Sequence, residues 1–92
     1  MAKKTVTISN KLGLHARAAA KLVQLASRYD SLIEVEYNGR TVNGKSIMGV
    51  MMLAASKGAT ITFHASIGSR DEDEEALTRL VALVEAKFDE AE

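Results

Sequence analysis

The sequence predicts an α+β domain in which one antiparallel sheet carries its helices on a single face. Three observations lead there. Four short segments alternate apolar and polar residues, and three others repeat apolar residues at helical spacing. Two of the alternating segments are also joined directly by Asn38-Gly39. Strands linked by so tight a turn must run antiparallel, and such a sheet can leave one face to water while helices cover the other.

Val6 and Ile8 alternate with Thr5, Thr7 and Ser9, a half-buried first strand, and NKLGLH follows as a loop. From Ala16 to Tyr29 the period changes: Ala16, Ala19, Ala20, Val23 and Ala26 fall on one helical face, which Leu22, Leu25 and Tyr29 widen. Arg17, Lys21, Gln24 and Arg28 form a basic outer stripe. Ile33, Val35 and Tyr37 alternate with Glu34 and Glu36 as a second strand. Asn38 and Gly39 both accept the positive φ of a type I′ hairpin, so residues 40–43 return as a short third strand. Ser46 is placed to cap a short helix over IMGVMMLAAS that ends near Gly58. Ile61, Phe63 and Ala65 mark a fourth strand. Ser69 and Glu72 stand at capping-box spacing before a last helix with Leu77, Leu80, Val81, Val84 and Phe88 on its inner face. The order is β-α-β-β-α-β-α.

Composition narrows the function classes. The 92 residues form one expected domain, 1–92. Twelve basic residues balance twelve acidic ones, and only two Phe and two Tyr occur. That argues against an RNA-binding αβ domain, which needs exposed aromatics on a basic surface, so no nucleic-acid partner is expected. With no cysteine, disulfides and thiolate metal sites are excluded. The basic opening MAKKTVTISN runs into an alternating segment instead of an apolar one, and no apolar run is long enough to span a bilayer. A cytoplasmic protein without membrane insertion is the expectation.

Residues 39–46, GRTVNGKS, spell the phosphate-cradling G-x-x-x-x-G-K-[ST] loop of nucleotide hydrolases. That loop must follow a buried strand and open a helix, whereas here Gly39 belongs to the hairpin and residues 40–43 to a strand. The match is therefore read as coincidental, apart from Ser46 at a helix start.

His15 is the residue best placed for chemistry. It stands where a Ser, Thr, Asp or Asn cap would normally sit, so the first amides of the helix lack the usual acceptor. An anion there would be favoured by those N–H groups, Ala16's among them, and by the helix dipole. Arg17 adds a planar fork of donors suited to phosphate oxygens, and a neutral imidazole is a competent nucleophile. The alternative is a histidine that only caps or packs. His64, on the polar side of its strand, reads as a solvent-facing residue with no metal partner at ligand spacing. Asp71 to Glu75 read as a solvated acidic helix start, not a cation site. No metal and no cofactor are expected. Met48, Met51 and Met52 with Ile47 and Val50 make the short helix apolar nearly all round; they are core, or an adaptable docking patch on which Ile47 and Met48 are the better candidates for exposure.

Gly13-Leu14-His15-Ala16-Arg17, Tyr37-Asn38-Gly39 and Gly44-Lys45-Ser46-Ile47-Met48-Gly49-Val50-Met51 together resemble the HPr family, the histidine-containing phosphocarriers of the bacterial phosphoenolpyruvate:sugar phosphotransferase system. The likeness spans nearly the whole chain. It implies an open-faced β-sandwich with sheet order 1-4-2-3 and three helices on one side. It implies a stoichiometric carrier, not an enzyme, and a monomer. His15 would take a phosphoryl group on Nδ1 from phosphorylated Enzyme I and pass it to IIA domains, with Arg17 and the Ala16 N–H stabilising it. Ser46 would match the serine modified by a kinase/phosphorylase, and Ile47, Met48, Met51, Lys21 and Gln24 the docking face. A regulatory relative that signals through His15 without feeding sugar uptake would use the same site. The family commonly has Pro after the Arg, where this chain has Ala18. Alanine favours helix, so the helix and the transfer are expected to persist.

Overall fold

The computed structural model describes residues 2–90. Its elements follow the expected order: β1 (Ala2–Thr7), α1 (Ala16–Ala26), β2 (Leu32–Tyr37), β3 (Arg40–Asn43), α2 (Ile47–Met52), β4 (Thr60–Ser66) and α3 (Arg70–Glu85), then a short turn over Lys87–Asp89. The strands pair antiparallel in the order β1-β4-β2-β3. Period-two alternation sets the register: Val6 stands opposite Ile61 and Val35 opposite Phe63, so the apolar side chains of all three strands share one face. The other face is polar and open. There Thr5 and Thr62 share a hydroxyl hydrogen bond of 3.2 Å, Thr7 and Thr60 one of 3.1 Å, and His64 Nε2 lies 2.8 Å from Glu36 Oε1. This is an open-faced sandwich, with α3 against β1 and β4, and α1 packed between α2 and α3.

The Asn38-Gly39 hairpin forms as expected, with φ of 55° and 82°. The inner face of α1 differs from the sequence reading. Ala18, Ala19, Leu22 and Ala26 are buried, whereas Ala16 is exposed. Leu22 is the only large side chain of α1 that is fully enclosed, and the alanines three and four residues before it and four after it follow it inward. Alanine carries too little apolar surface to orient a helix alone.

The second helix stops at Met52, well short of Gly58. Ala54 takes a positive φ of 54°, which turns Leu53 and Ala55 into the core and presents the Ala55 carbonyl to the Leu14 N–H at 2.9 Å. Gly58, at φ 92°, makes a separate turn whose N–H reaches the Ile8 carbonyl at 2.8 Å and so leads into β4.

At the start of α3, Ser69 Oγ accepts from the Glu72 N–H at 3.0 Å. The capping box is only half formed, because the Glu72 carboxylate accepts from the Asp30 N–H at 3.0 Å. Nor is the acidic run wholly solvated. Asp73 is buried and accepts from the Ser31 hydroxyl, which ties the α1–β2 loop to α3. A Cβ on Gly68 would lie 2.4 Å from Ser31 Oγ, so the backbone passes this pair where only glycine fits. Phe88 is not on the helix. It is fully buried from a reversed turn in which Lys87, Phe88 and Asp89 have φ of 57°, 55° and 61°.

Asp73→Ala removes the acceptor and strands a buried hydroxyl, which should cost about 1–3 kcal/mol in urea unfolding. In a cycle with Ser31→Ala, the double variant should lose less than the sum of the single losses, because the two groups satisfy each other.

Candidate functional site

The site is built at the start of α1. Gly13, at φ 66°, closes a tight loop in which its N–H reaches the Asn10 carbonyl at 3.2 Å and its own carbonyl accepts from Asn10 Nδ2 at 2.9 Å. A Cβ on Gly13 would meet the Ala55 carbonyl oxygen at 2.6 Å, so glycine permits the close approach of the segment after α2. The Leu14 N–H bonds to that carbonyl, and its side chain is buried. His15 then follows in extended conformation, φ −77° and ψ 178°, as the N-cap.

Its imidazole performs the capping. Nδ1 accepts from the Arg17 N–H at 3.3 Å, and the His15 carbonyl takes the Ala19 N–H at 2.8 Å. A ring nitrogen that accepts carries no proton, so in the neutral ring the hydrogen sits on Nε2. Nε2 faces a carboxylate oxygen of Glu90, which sequence reasoning did not single out. The other oxygen of Glu90 accepts from Asn10 Nδ2 at 3.1 Å. Burial pushes the Glu90 carboxyl up, but the hydrogen bonds from His15 and Asn10, with the charges of His15 and Arg17, outweigh it and hold the carboxyl below the usual carboxylate range.

Ala16 and Arg17 are exposed beside His15, so an incoming group can reach the start of the helix. Lys21, expected on the outer stripe, donates its ammonium to the Phe88 carbonyl at 2.6 Å. Gln24 is exposed and, with Arg28 and Arg79, lines a groove between α1 and α3.

A second cluster lies on α2. Ser46 Oγ accepts from the Gly49 N–H at 3.0 Å, a side-chain cap of the expected kind. Ile47, Met48, Met51 and Met52 are all exposed, Met48 at 70%, while Val50 is buried. Leu12 is 64% exposed on the loop that abuts the segment after α2. The sequence reading missed Leu12, since a lone leucine in a loop carries no periodic signal.

The nucleotide-loop string has no phosphate geometry. Arg40 to Asn43 form β3, and Lys45 donates to the Tyr29 carbonyl at 2.6 Å instead of reaching toward a ligand. Among the described residues no group of three or more His, Cys, Asp or Glu side chains could hold a metal ion, and no helix is long and apolar enough to cross a membrane. Neither Glu90 nor Asn10 was legible as a partner of His15. Asn10 is close in sequence but buried in a loop, and Glu90 lies 75 residues away.

Residues 2–86 match the family model described as the PTS HPr component phosphorylation site. The chain is 49% identical over 92 residues to phosphocarrier protein HPr of Cupriavidus necator, with all of both chains covered. It is 45% identical over 89 residues to phosphocarrier protein NPr of Shewanella violacea, covering 97% of this chain and 94% of the other. The crystal structure of HPr-C-His from Thermoanaerobacter tengcongensis superposes with a TM-score of 0.92 at 46% identity over the full length of both chains. With the sheet order, the capping histidine and these likenesses in agreement, the chain belongs to the HPr family of phosphocarriers of the bacterial phosphotransferase system.

Proposed function

We propose that this chain carries a phosphoryl group on Nδ1 of His15, taking it from phosphorylated Enzyme I and delivering it to IIA domains. The observation that carries the reading is the cap. The unprotonated nitrogen of His15 is directed at the Arg17 amide in the first turn of α1, where a helix end and its dipole favour an anion. In the transfer, the Nδ1 pair forms the bond to phosphorus while the donor's bond breaks and its pair leaves with the donor. The phosphoryl oxygens then take over the Arg17 amide that Nδ1 had capped, together with the exposed Arg17 guanidinium and the Ala16 N–H. Such an open terminus stabilises charge but supplies no activated water, which suits a carrier that must hold its group and give it up to a partner. The carrier is thus stoichiometric, acts as one domain, and works in the cytoplasm.

The exposed Ile47, Met48 and Met51 of α2, with Leu12 and with Gln24 on α1, form the docking surface for both partners. Ser46 is the regulatory site of a kinase. A phosphate there adds nearly two negative charges at the start of α2, which the helix tolerates, but it sets them against the docking surface of an acidic partner. The likeness to phosphocarrier NPr supports a second reading, in which the acceptor is a regulatory IIA protein and not one that serves sugar uptake.

Incubation with phosphoenolpyruvate and Enzyme I should add one acid-labile phosphate, read by mass, to the wild type and none to His15→Ala; a wild type that stays unmodified with a cognate Enzyme I sinks the reading. Comparing the rates to a sugar-specific and a regulatory IIA separates the two acceptors. Ala18→Pro should leave fold and rate unchanged, since position 18 lies in the first turn of α1. Ser46→Asp should slow transfer from Enzyme I roughly tenfold, and Met48→Ala should raise the KM for Enzyme I by about as much, with kcat little changed.

A further inference from the structure

Helices α1 and α3 run antiparallel and are tied together at two places. At one end the Tyr29 hydroxyl donates to Glu75 at 3.2 Å, and at the other the Lys21 ammonium donates to the Phe88 carbonyl, just past α3, at 2.6 Å. Between these ties the helices present matching rows. Lys21, Gln24, Leu25 and Arg28 share one face of α1, and Arg79, Ala82, Leu83 and Ala86 repeat the same spacing on α3. The rows line a groove of about 420 Å³, within the range of roughly 300–1,000 Å³ usual for small-ligand sites. Ala82 and Ala86 are too short to fill it, and the half-buried Leu25 and Leu83 give it an apolar floor.

Arg28 and Arg79 stand on opposite walls at the Tyr29 end. Burial, then the hydrogen bond and charge of Glu75, push the Tyr29 phenol up, while Arg79 and Arg28 pull the other way, so both guanidiniums lie within electrostatic reach of one hydroxyl. Among the described residues neither arginine is in an ion pair, and Glu75 is taken up by the phenol. Two cations placed this way repel each other until an anion joins them. A terminal phosphate, with three oxygens and nearly two charges, matches two planar forks, whereas a carboxylate matches one. The far end of the groove, about 10 Å along α1 by the rise per residue, has Lys21 and Asp89, with Gln24 between. There the Asp89 carboxylate opposes a second phosphate but accepts from hydroxyls, and the Gln24 amide both donates and accepts.

We propose that the groove between α1 and α3 binds a phosphomonoester with a hydroxylated body, of the polyol phosphate class. Arg28 and Arg79 clamp the phosphate, Leu25 and Leu83 lie under the carbon chain, and Gln24 and Asp89 meet the hydroxyls. The site is distinct from the start of α1, since Arg28 lies about 20 Å along the helix from His15 by the rise per residue. It does not depend on the reading of His15 as a phosphoryl acceptor.

The experiment titrates the ¹⁵N-labelled full chain with sorbitol 6-phosphate at low salt and follows its chemical shifts. The side-chain Nε signals of Arg28 and Arg79 should move, together with the amides of Gln24, Leu25 and Leu83. Inorganic phosphate should bind roughly fivefold more weakly, because it lacks the hydroxyls, and sorbitol alone should move nothing. Arg79→Ala should weaken binding about tenfold, and Arg79→Lys, which keeps the charge without the fork, should lie between. Arg79 is exposed, so both variants should unfold in urea as the wild type does. Shifts gathered at Ala16 and Arg17 place the phosphate at the start of α1 and overturn the proposal. Equal affinity for inorganic phosphate overturns it too, since only charge attraction is then left, as does an Arg79→Ala variant that binds as well as the wild type.

Discussion

A helix that begins without a serine, threonine or acidic cap still has to find an acceptor for its first amides, and here the acceptor is an imidazole. Much of the local architecture follows from that requirement. To point Nδ1 at the Arg17 amide, the backbone at His15 must be extended and must arrive from a tight loop. Gly13 allows that loop at positive φ, and the Ala55 carbonyl holds it through Leu14. The Ala55 carbonyl is available only because α2 ends early, at the left-handed Ala54. The cap on α1 therefore depends on where α2 stops.

Elements whose cause is local could be read from the chain. The strands follow from alternation, the hairpin from Asn38-Gly39, and the starts of α2 and α3 from Ser46 and Ser69, each a serine whose hydroxyl meets an amide three residues on. What escaped has a distant or hidden cause. Asp73 looks like its neighbours Asp71 and Glu74 in sequence, yet it is buried because Ser31, 42 residues away, offers it a hydroxyl. Ala54 and Phe88 adopt conformations that their residue types disfavour, so no propensity announces them. Phe88 kept the spacing of the α3 inner face and does reach the core, but from a turn of opposite hand.

The candidate site divides along the same line. His15 and Arg17 could be singled out because a helix start missing its usual cap is a sequence-level anomaly, and a histidine followed by an arginine has an evident use for it. Glu90 and Asn10 could not, since nothing in a terminal acidic residue or a loop asparagine says which ring it will face. Lys21 shows the converse. Its place on the outer stripe suggested a partner surface, while its ammonium is occupied within the chain by the same segment that brings Glu90 to the site. GRTVNGKS shows how little a string match decides by itself, since its lysine ends on a backbone carbonyl of the α1–β2 connection.

A carrier faces opposing demands on one group: it must bind phosphate firmly enough to escape hydrolysis and loosely enough to release it. With His15 as the proposed carrier, the arrangement there places groups on opposite sides of one ring. In the proposed role, the first amides of α1 and the exposed Arg17 guanidinium act on the phosphoryl oxygens from the Nδ1 side. On the Nε2 side, a carboxylate oxygen of Glu90 meets the ring while the other holds Asn10. In that role the first set governs how well the group is held, and the second meets the ring from behind. Because they are carried by different parts of the chain, the start of α1 and the turn after α3, either can change without rebuilding the other.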